Sequence, residues 1–257
     1  MTRFAFICLI VGLSQQSFAQ KIHAHNDYEK PEPLTAAIRN QAGSIEADVY
    51  LVDGKLLVAH DKSQLKPGRT LDSLYLKPIA MLFGENKNRQ STSGTVSKDR
   101  KYSFQLMIDM KDNGVEAIKE LEKAVAPYRT CFDRAMNPAA VQLVISGNRP
   151  PVANWVDYPA YILFDGRPSE LYDDETIKHV ALISDTFQNY SRWNGEGVMP
   201  DKDRETLKRF IKRAHNDNKP IRFWAAPDNP NTWKQLAKLG VDFINTDKVE
   251  ECASELK

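Results

Sequence analysis

Short apolar runs alternate with helix-like stretches along nearly the whole chain, and that alternation leaves few folds open. Strands are predicted over 22–25, 45–50, 56–60, 104–110, 141–146, 161–165, 181–185, 221–225 and 243–246. Helical periodicity puts Leu34, Ala37 and Ile38 on one stripe and Val115, Ile118, Leu121 and Val125 on a second. Leu207, Phe210, Ile211 and Ala214 make a third. Near-continuous apolar strands with helices between them form parallel sheets covered on both faces. Nine runs exceed by one the strands of a (β/α)8 barrel, and Asp53-Gly54 accounts for the surplus as a hairpin turn inside the second unit. A doubly wound open sheet is the competing architecture, but no glycine-rich fingerprint opens a helix after the first strand. The expected fold is an α/β (β/α)8 TIM barrel in one domain over residues 21–257, with the polar stretch 84–101 as an excursion loop.

Residues 1–20 are set apart from that domain. Arg3 supplies a positive start, an unbroken apolar run follows from Phe4 to Leu13, and Ser17-Phe18-Ala19 forms a small-x-small cleavage pattern. This reads as a secretory signal peptide cut near Ala19 and Gln20, and implies a secreted or periplasmic protein. The apolar run is too short to span a bilayer, and no later stretch is long enough to do so. Arg3 is the leader's only charged residue. Without it the basic residues fall from 35 by one and equal the 34 acidic ones. Such neutrality provides no electrostatic footprint for nucleic acid. Cys131 and Cys252 remain, as structural or free thiols whose pairing spacing alone does not determine.

Barrels of this kind do their chemistry at the C-terminal ends of the strands. The polar residues expected there are His25, Asn26, Asp27, Glu46, Asp48, His60, Asp61, Asp109, Lys111, Ser146, Asp165, Asp185, Trp224 and Asp247. Glu46 and Asp48 are two apart, so they project from one face of their strand, and Asp109 and Lys111 do likewise. Carboxylates converging from different strands repel unless neutralised, and a hard divalent cation with oxygen ligands is one solution. An HxH metal site of the amidohydrolase type is the other possibility for His23 and His25, but it needs later histidine ligands. After His60 only His179 and His215 remain of the five histidines. His179 precedes its strand, and His215 closes a helical stripe, where it favours the helix C-terminus. The "AHND" at 214–217 therefore reads as structural, and the "AHND" at 24–27 as the functional copy.

Seven blocks in order, "HNDY", "IEADVYLVDGKLLVAHD", "TLDSLYLKP", "MIDMK", "VISGNRPP", "RFWAAPDN" and "FINTD", resemble the phosphatidylinositol phospholipase C and glycerophosphodiester phosphodiesterase superfamily. Within it they are most similar to the fungal altered-inheritance-of-mitochondria protein 6 group. The resemblance implies a barrel with one divalent cation, Ca2+ or Mg2+, and two catalytic histidines. His25 and His60 match those histidines, and His23 becomes a neighbour in their shell. Glu46 and Asp48 match the E-x-D metal ligands, Asp109 stands at the strand-end carboxylate ligand, and Lys111 at the phosphate-facing lysine. Asn26 departs from the His-Arg of glycerophosphodiesterases and resembles the asparagine that binds calcium in eukaryotic phospholipase C. Trp224 is a candidate either for a wall around the alcohol portion of the substrate or for core packing. The implied partner is a small-molecule phosphodiester or lipid head group. The alternatives are an inactive barrel that binds phospho-sugars or head groups, and a phosphomonoesterase on the same scaffold.

Overall fold

A computed structural model describes residues 21–88 and 102–256. The leader and residues 89–101 of the polar stretch lie outside the described residues. The strands are β1 (Lys21–Ala24), β2 (Ser44–Val52), β3 (Lys55–Val58), β4 (Gln105–Met110), β5 (Gln142–Gly147), β6 (Ile162–Gly166), β7 (Val180–Thr186), β8 (Ile221–Trp224) and β9 (Phe243–Thr246). The helices are α1 (Thr35–Arg39), α2 (Lys77–Asn88), α3 (Gly114–Val125), α4 (Arg129–Phe132), α5 (Asp201–Asn216), α6 (Pro230–Leu239) and α7 (Val249–Glu255). The sheet runs β1-β9-β8-β7-β6-β5-β4-β2-β3, and β1 also pairs with β2. Eight parallel strands therefore close on themselves as a TIM barrel.

The ninth strand, β3, lies antiparallel to β2, with Val52 opposite Lys55. Asp53 and Gly54 both have positive φ, 48° and 73°, so the turn twists with the strands it joins. Each predicted strand is present.

The crossovers are less uniform. Residues 84–88, expected in a loop, continue α2. On α3 the buried face is Ala117, Ile118, Leu121 and Val125, whereas Val115 is exposed. Between β5 and β6, and between β6 and β7, short 3-10 turns at Val152–Asp157 and Thr176–His179 take the place of α-helices. There Trp155, fully buried, stacks on Phe164 at 4.5 Å and covers the outside of β6 as a helix would.

Two apolar regions result. The larger one lies between the sheet and its outer cover. A small plug of Met107, Val144, Leu182 and Phe243 fills the interior. In each of these strands the residue two positions on is polar: Asp109, Ser146, Ser184 and Asn245. Side chains alternate along a strand, so these residues point the same way as the plug, one layer nearer the mouth.

Candidate active site

Buried charge begins directly above the plug. Glu46 Oε2 lies 2.5 Å from His23 Nε2 and 3.1 Å from Arg222 NH1. Gln105 Nε2 donates to Ser44 Oγ at 3.0 Å, which leaves the Ser44 hydroxyl to donate to His23 Nδ1 at 2.7 Å. A proton on Nε2 satisfies the Glu46 contact, and Arg222 NH1 also stands 2.6 Å from that nitrogen. Burial first, then Arg222, lowers the His23 pKa to about 4, so the ring is neutral. Burial alone would push Glu46 up, but His23 and Arg222 hold it below the usual carboxylate range. Arg222 also reaches Asp165, whose Oδ2 accepts from Ser146, Ser184 and Arg167 at 2.8, 2.7 and 2.8 Å.

The next layer holds the remaining expected carboxylates. One oxygen each from Glu46, Asp48 and Asp109 lie within 4.8 Å of one another. Lys111 Nζ bridges Asp48 Oδ2 at 2.7 Å and Asp109 Oδ2 at 2.9 Å. Burial opposes the charge on Lys111, but the two aspartates outweigh it and hold the ammonium charged. Burial and the Glu46 charge push Asp48 up against the pull of Lys111. Asp48 Oδ1 and Asp109 Oδ1 are buried and have no hydrogen-bond partner among the described residues. Two orphaned carboxylate oxygens beside Glu46 form a donor set of the kind a hard divalent cation takes. The residues present therefore fit such an ion. Gly147, at φ +70°, makes room for Asp109, because a Cβ there would stand 1.9 Å from Asp109 Oδ1.

The two expected histidines stand at the rim, each fixed through Nδ1. His25 Nδ1 meets Asp247 Oδ1 at 2.8 Å, and His60 Nδ1 meets Asp48 Oδ2 at 3.2 Å. Nε2 of neither ring has a partner among the described residues. Burial works against an imidazolium at His25, but the Asp247 hydrogen bond and the Glu46 and Asp247 charges raise its pKa overall. Asn26, in the left-handed region at φ 48°, divides its amide between Tyr28 and Asp247. Trp224 shares a strand face with Arg222 and is 37% exposed at the mouth end of β8.

Three expected strand-end residues serve loops instead. Asp27 accepts from Leu34 N and Tyr75, Asp61 caps the 3-10 turn Lys62–Gln64, and Asp185 accepts from Tyr190. His215 lies in the last turn of α5 and meets Asp242 at 2.8 Å, at the opposite end of the barrel. Sequence reasoning did not assign roles to Tyr28, Arg167 or Arg222, nor to Asp247 as the partner of His25. Of these only Asp247, at a strand end, carried a positional signal.

Fold and mouth together put the protein among the phospholipase C-like and glycerophosphodiesterase barrels. The chain belongs to the AIM6-like phosphodiesterase domain family, whose model matches residues 12–154. The glycerophosphoryl diester phosphodiesterase family model also matches residues 220–250. Altered inheritance of mitochondria protein 6 from Eremothecium gossypii is 26% identical over 90% of this chain and 68% of its own length. A glycerophosphodiester phosphodiesterase from Parabacteroides distasonis shares the fold at TM-score 0.62 and 17% identity, covering 93% of this chain and 98% of that one. A Ca2+-dependent phosphatidylinositol-specific phospholipase C from Streptomyces antibioticus does so at TM-score 0.51 and 11% identity, covering 91% and 95%.

Proposed function

We propose that the protein is an exported, metal-dependent phosphodiesterase acting on glycerol- or inositol-type phosphodiesters, with His25 and His60 as its acid–base pair. The observation that carries this reading is the paired arrangement of the two rings. Each has Nδ1 tied to a carboxylate and Nε2 without a partner among the described residues, at the rim of a carboxylate cluster with orphaned oxygens. A ring fixed in this way can take or give a proton at one defined atom, and its unperturbed pKa of about 6.5 suits both tasks.

Glu46, Asp48 and Asp109, with Asn26 and water, would hold the cation. Bound there, a divalent ion supplies charge neutralisation at the phosphate and makes a nearby hydroxyl more acidic. One histidine removes the proton of a hydroxyl that neighbours the phosphate. The oxygen of that hydroxyl bonds to phosphorus, the ester bond to the leaving alcohol breaks, and the second histidine protonates the departing alkoxide. Lys111 faces the phosphate, and Trp224 borders the alcohol. An internal hydroxyl avoids the entropic cost of capturing a separate nucleophile, worth effective molarities of about 10⁵ M or more. Its product is a cyclic phosphate.

Glu46, Asp48, Asp109 and Asp165 face Lys111, Arg167 and Arg222, and Asp247 lies against His25, so the mouth is rich in carboxylates that a divalent ion would offset. A second reading, a barrel that binds without turnover, is favoured by Lys111, which already bridges two of the three carboxylates.

Turnover of a chromogenic diester against the matched monoester, with Ca2+, with Mg2+ and with chelator, separates these readings. The expected result is cation-dependent turnover of the diester, with an early cyclic phosphate in phosphorus NMR when a glycerol or inositol diester is used. Binding without turnover, or preference for the monoester, overturns it.

A further inference from the structure

Tyr28 is a buried residue at the mouth for which the proposed mechanism has no use. It is 2% exposed, and its hydroxyl stands 2.8 Å from Asp48 Oδ2, 2.9 Å from Asn26 Oδ1 and 3.3 Å from His60 Nδ1. The residues around it hold it there. Arg69 NH2 donates to the Tyr28 carbonyl at 2.5 Å, and the preceding Asp27 is tied to Leu34 N and Tyr75. We propose that Tyr28 is a positioning residue that turns Asp48 so that Oδ1, and not Oδ2, is presented to a divalent cation.

The argument is one of donors. Asp48 Oδ2 faces Lys111, Tyr28 and His60 Nδ1 at 2.7, 2.8 and 3.2 Å, while Oδ1 is buried with none. Those donors are not equivalent once a cation arrives. Lys111 carries a positive charge and is repelled by a divalent ion beside the same carboxylate, which frees it to turn toward an anionic ligand. The tyrosine hydroxyl is neutral and stays. It becomes the donor that keeps Oδ2 occupied, and its oxygen can still accept from His60 Nδ1. A phenol has a single proton, so the acceptor oxygens of Asp48 and Asn26 compete for it in the cation-free site. A cation on Asn26 Oδ1 would end that competition in favour of Asp48.

This inference rests on the cation site of the proposed function, and its test separates the two. Tyr28→Phe keeps the buried ring and removes only the hydroxyl. Outer partners of metal ligands typically contribute about 10–100-fold in affinity or activity. With Ca2+ or Mg2+ alone, without substrate, the Kd should rise by about that factor in Tyr28→Phe, and the cation-dependent rise in melting temperature should shrink with its logarithm. The cation-free melting temperature should stay near that of the parent, and at saturating cation the KM for a diester should be little changed. If Tyr28→Phe binds the cation as the parent does, the positioning role is overturned and the cation site stands. If the variant loses cation-free stability while cation affinity per folded molecule is unaltered, Tyr28 is a packing residue and the proposal fails. If the parent protein itself shows no cation-dependent shift, the cation site falls, and the role of Tyr28 with it.

Discussion

Asp165 sits inside the barrel with no exposure, and its charge is held by neighbours from three other strands and the following loop. Burial alone would raise its pKa, but Arg167 and Arg222, then Ser184 and Ser146, bring it below the ordinary carboxylate value. A depressed folded pKa means the contribution to stability is full above the unfolded value near 4 and is lost as pH falls through the folded one. Asp165→Asn should therefore cost about 3 kcal/mol or more at neutral pH and flatten the acid limb of melting temperature against pH. A second residue-scale prediction concerns the repeated "AHND". His25→Ala or His60→Ala should lower kcat by about two orders of magnitude or more, the usual scale for a positioned acid or base. His215→Ala should leave kcat near that of the parent and lower the melting temperature, because Asp242 loses one of its two hydrogen-bond donors. Steady-state kinetics and thermal melts on the three variants check both statements.

The two turns of positive φ at the ends of β2 and β5 distinguish strain from chemistry. Gly54 has φ 73° and open space around it, so Gly54→Ala should cost about 1 kcal/mol and leave activity intact. Gly147→Ala adds a Cβ 1.9 Å from Asp109 Oδ1, so it should displace that carboxylate and reduce cation binding as well as stability. A cation titration of both variants tests the difference. Strands were legible because apolar runs bounded by turn signals depend on neighbours in the chain. The Asp53-Gly54 hairpin was legible for the same reason. The 3-10 crossovers were not, because Trp155 replaces a helix through a stacking contact with Phe164 that no periodicity records. At the mouth, Glu46, Asp48, Asp109 and Lys111 were legible from two-residue spacing. Arg222 was not: its partner Glu46 lies 176 positions earlier, and "IRFW" reads simply as a strand with one polar residue. Tyr28 and His60, 32 positions apart, likewise meet only once β1 lies beside β2 and its hairpin partner β3.

For the molecule as a whole, Cys131 and Cys252 are both buried and free, and burial pushes the Cys252 thiol up to about 12. Neither should react with a thiol reagent in the native state, both should react on unfolding, and a reductant should not move the melting temperature. Buried, protonated thiols are poor nucleophiles, which is why a colorimetric thiol titration is decisive here.

β1 closes the barrel by pairing with β2 on one side and β9 on the other, and the His25–Asp247 bond spans 222 positions of the chain across that seam. The pair that fixes His25 thus exists only in a fully closed ring. An intermediate with β2 to β8 already in register would have most of its sheet and most of its carboxylates, and no anchored proton carrier at His25. In a refolding experiment, backbone circular dichroism should recover first and turnover last, on the time course of the final zip of β9 against β1. Under the proposed function, the site would be armed only when the first and last strands of the barrel have met.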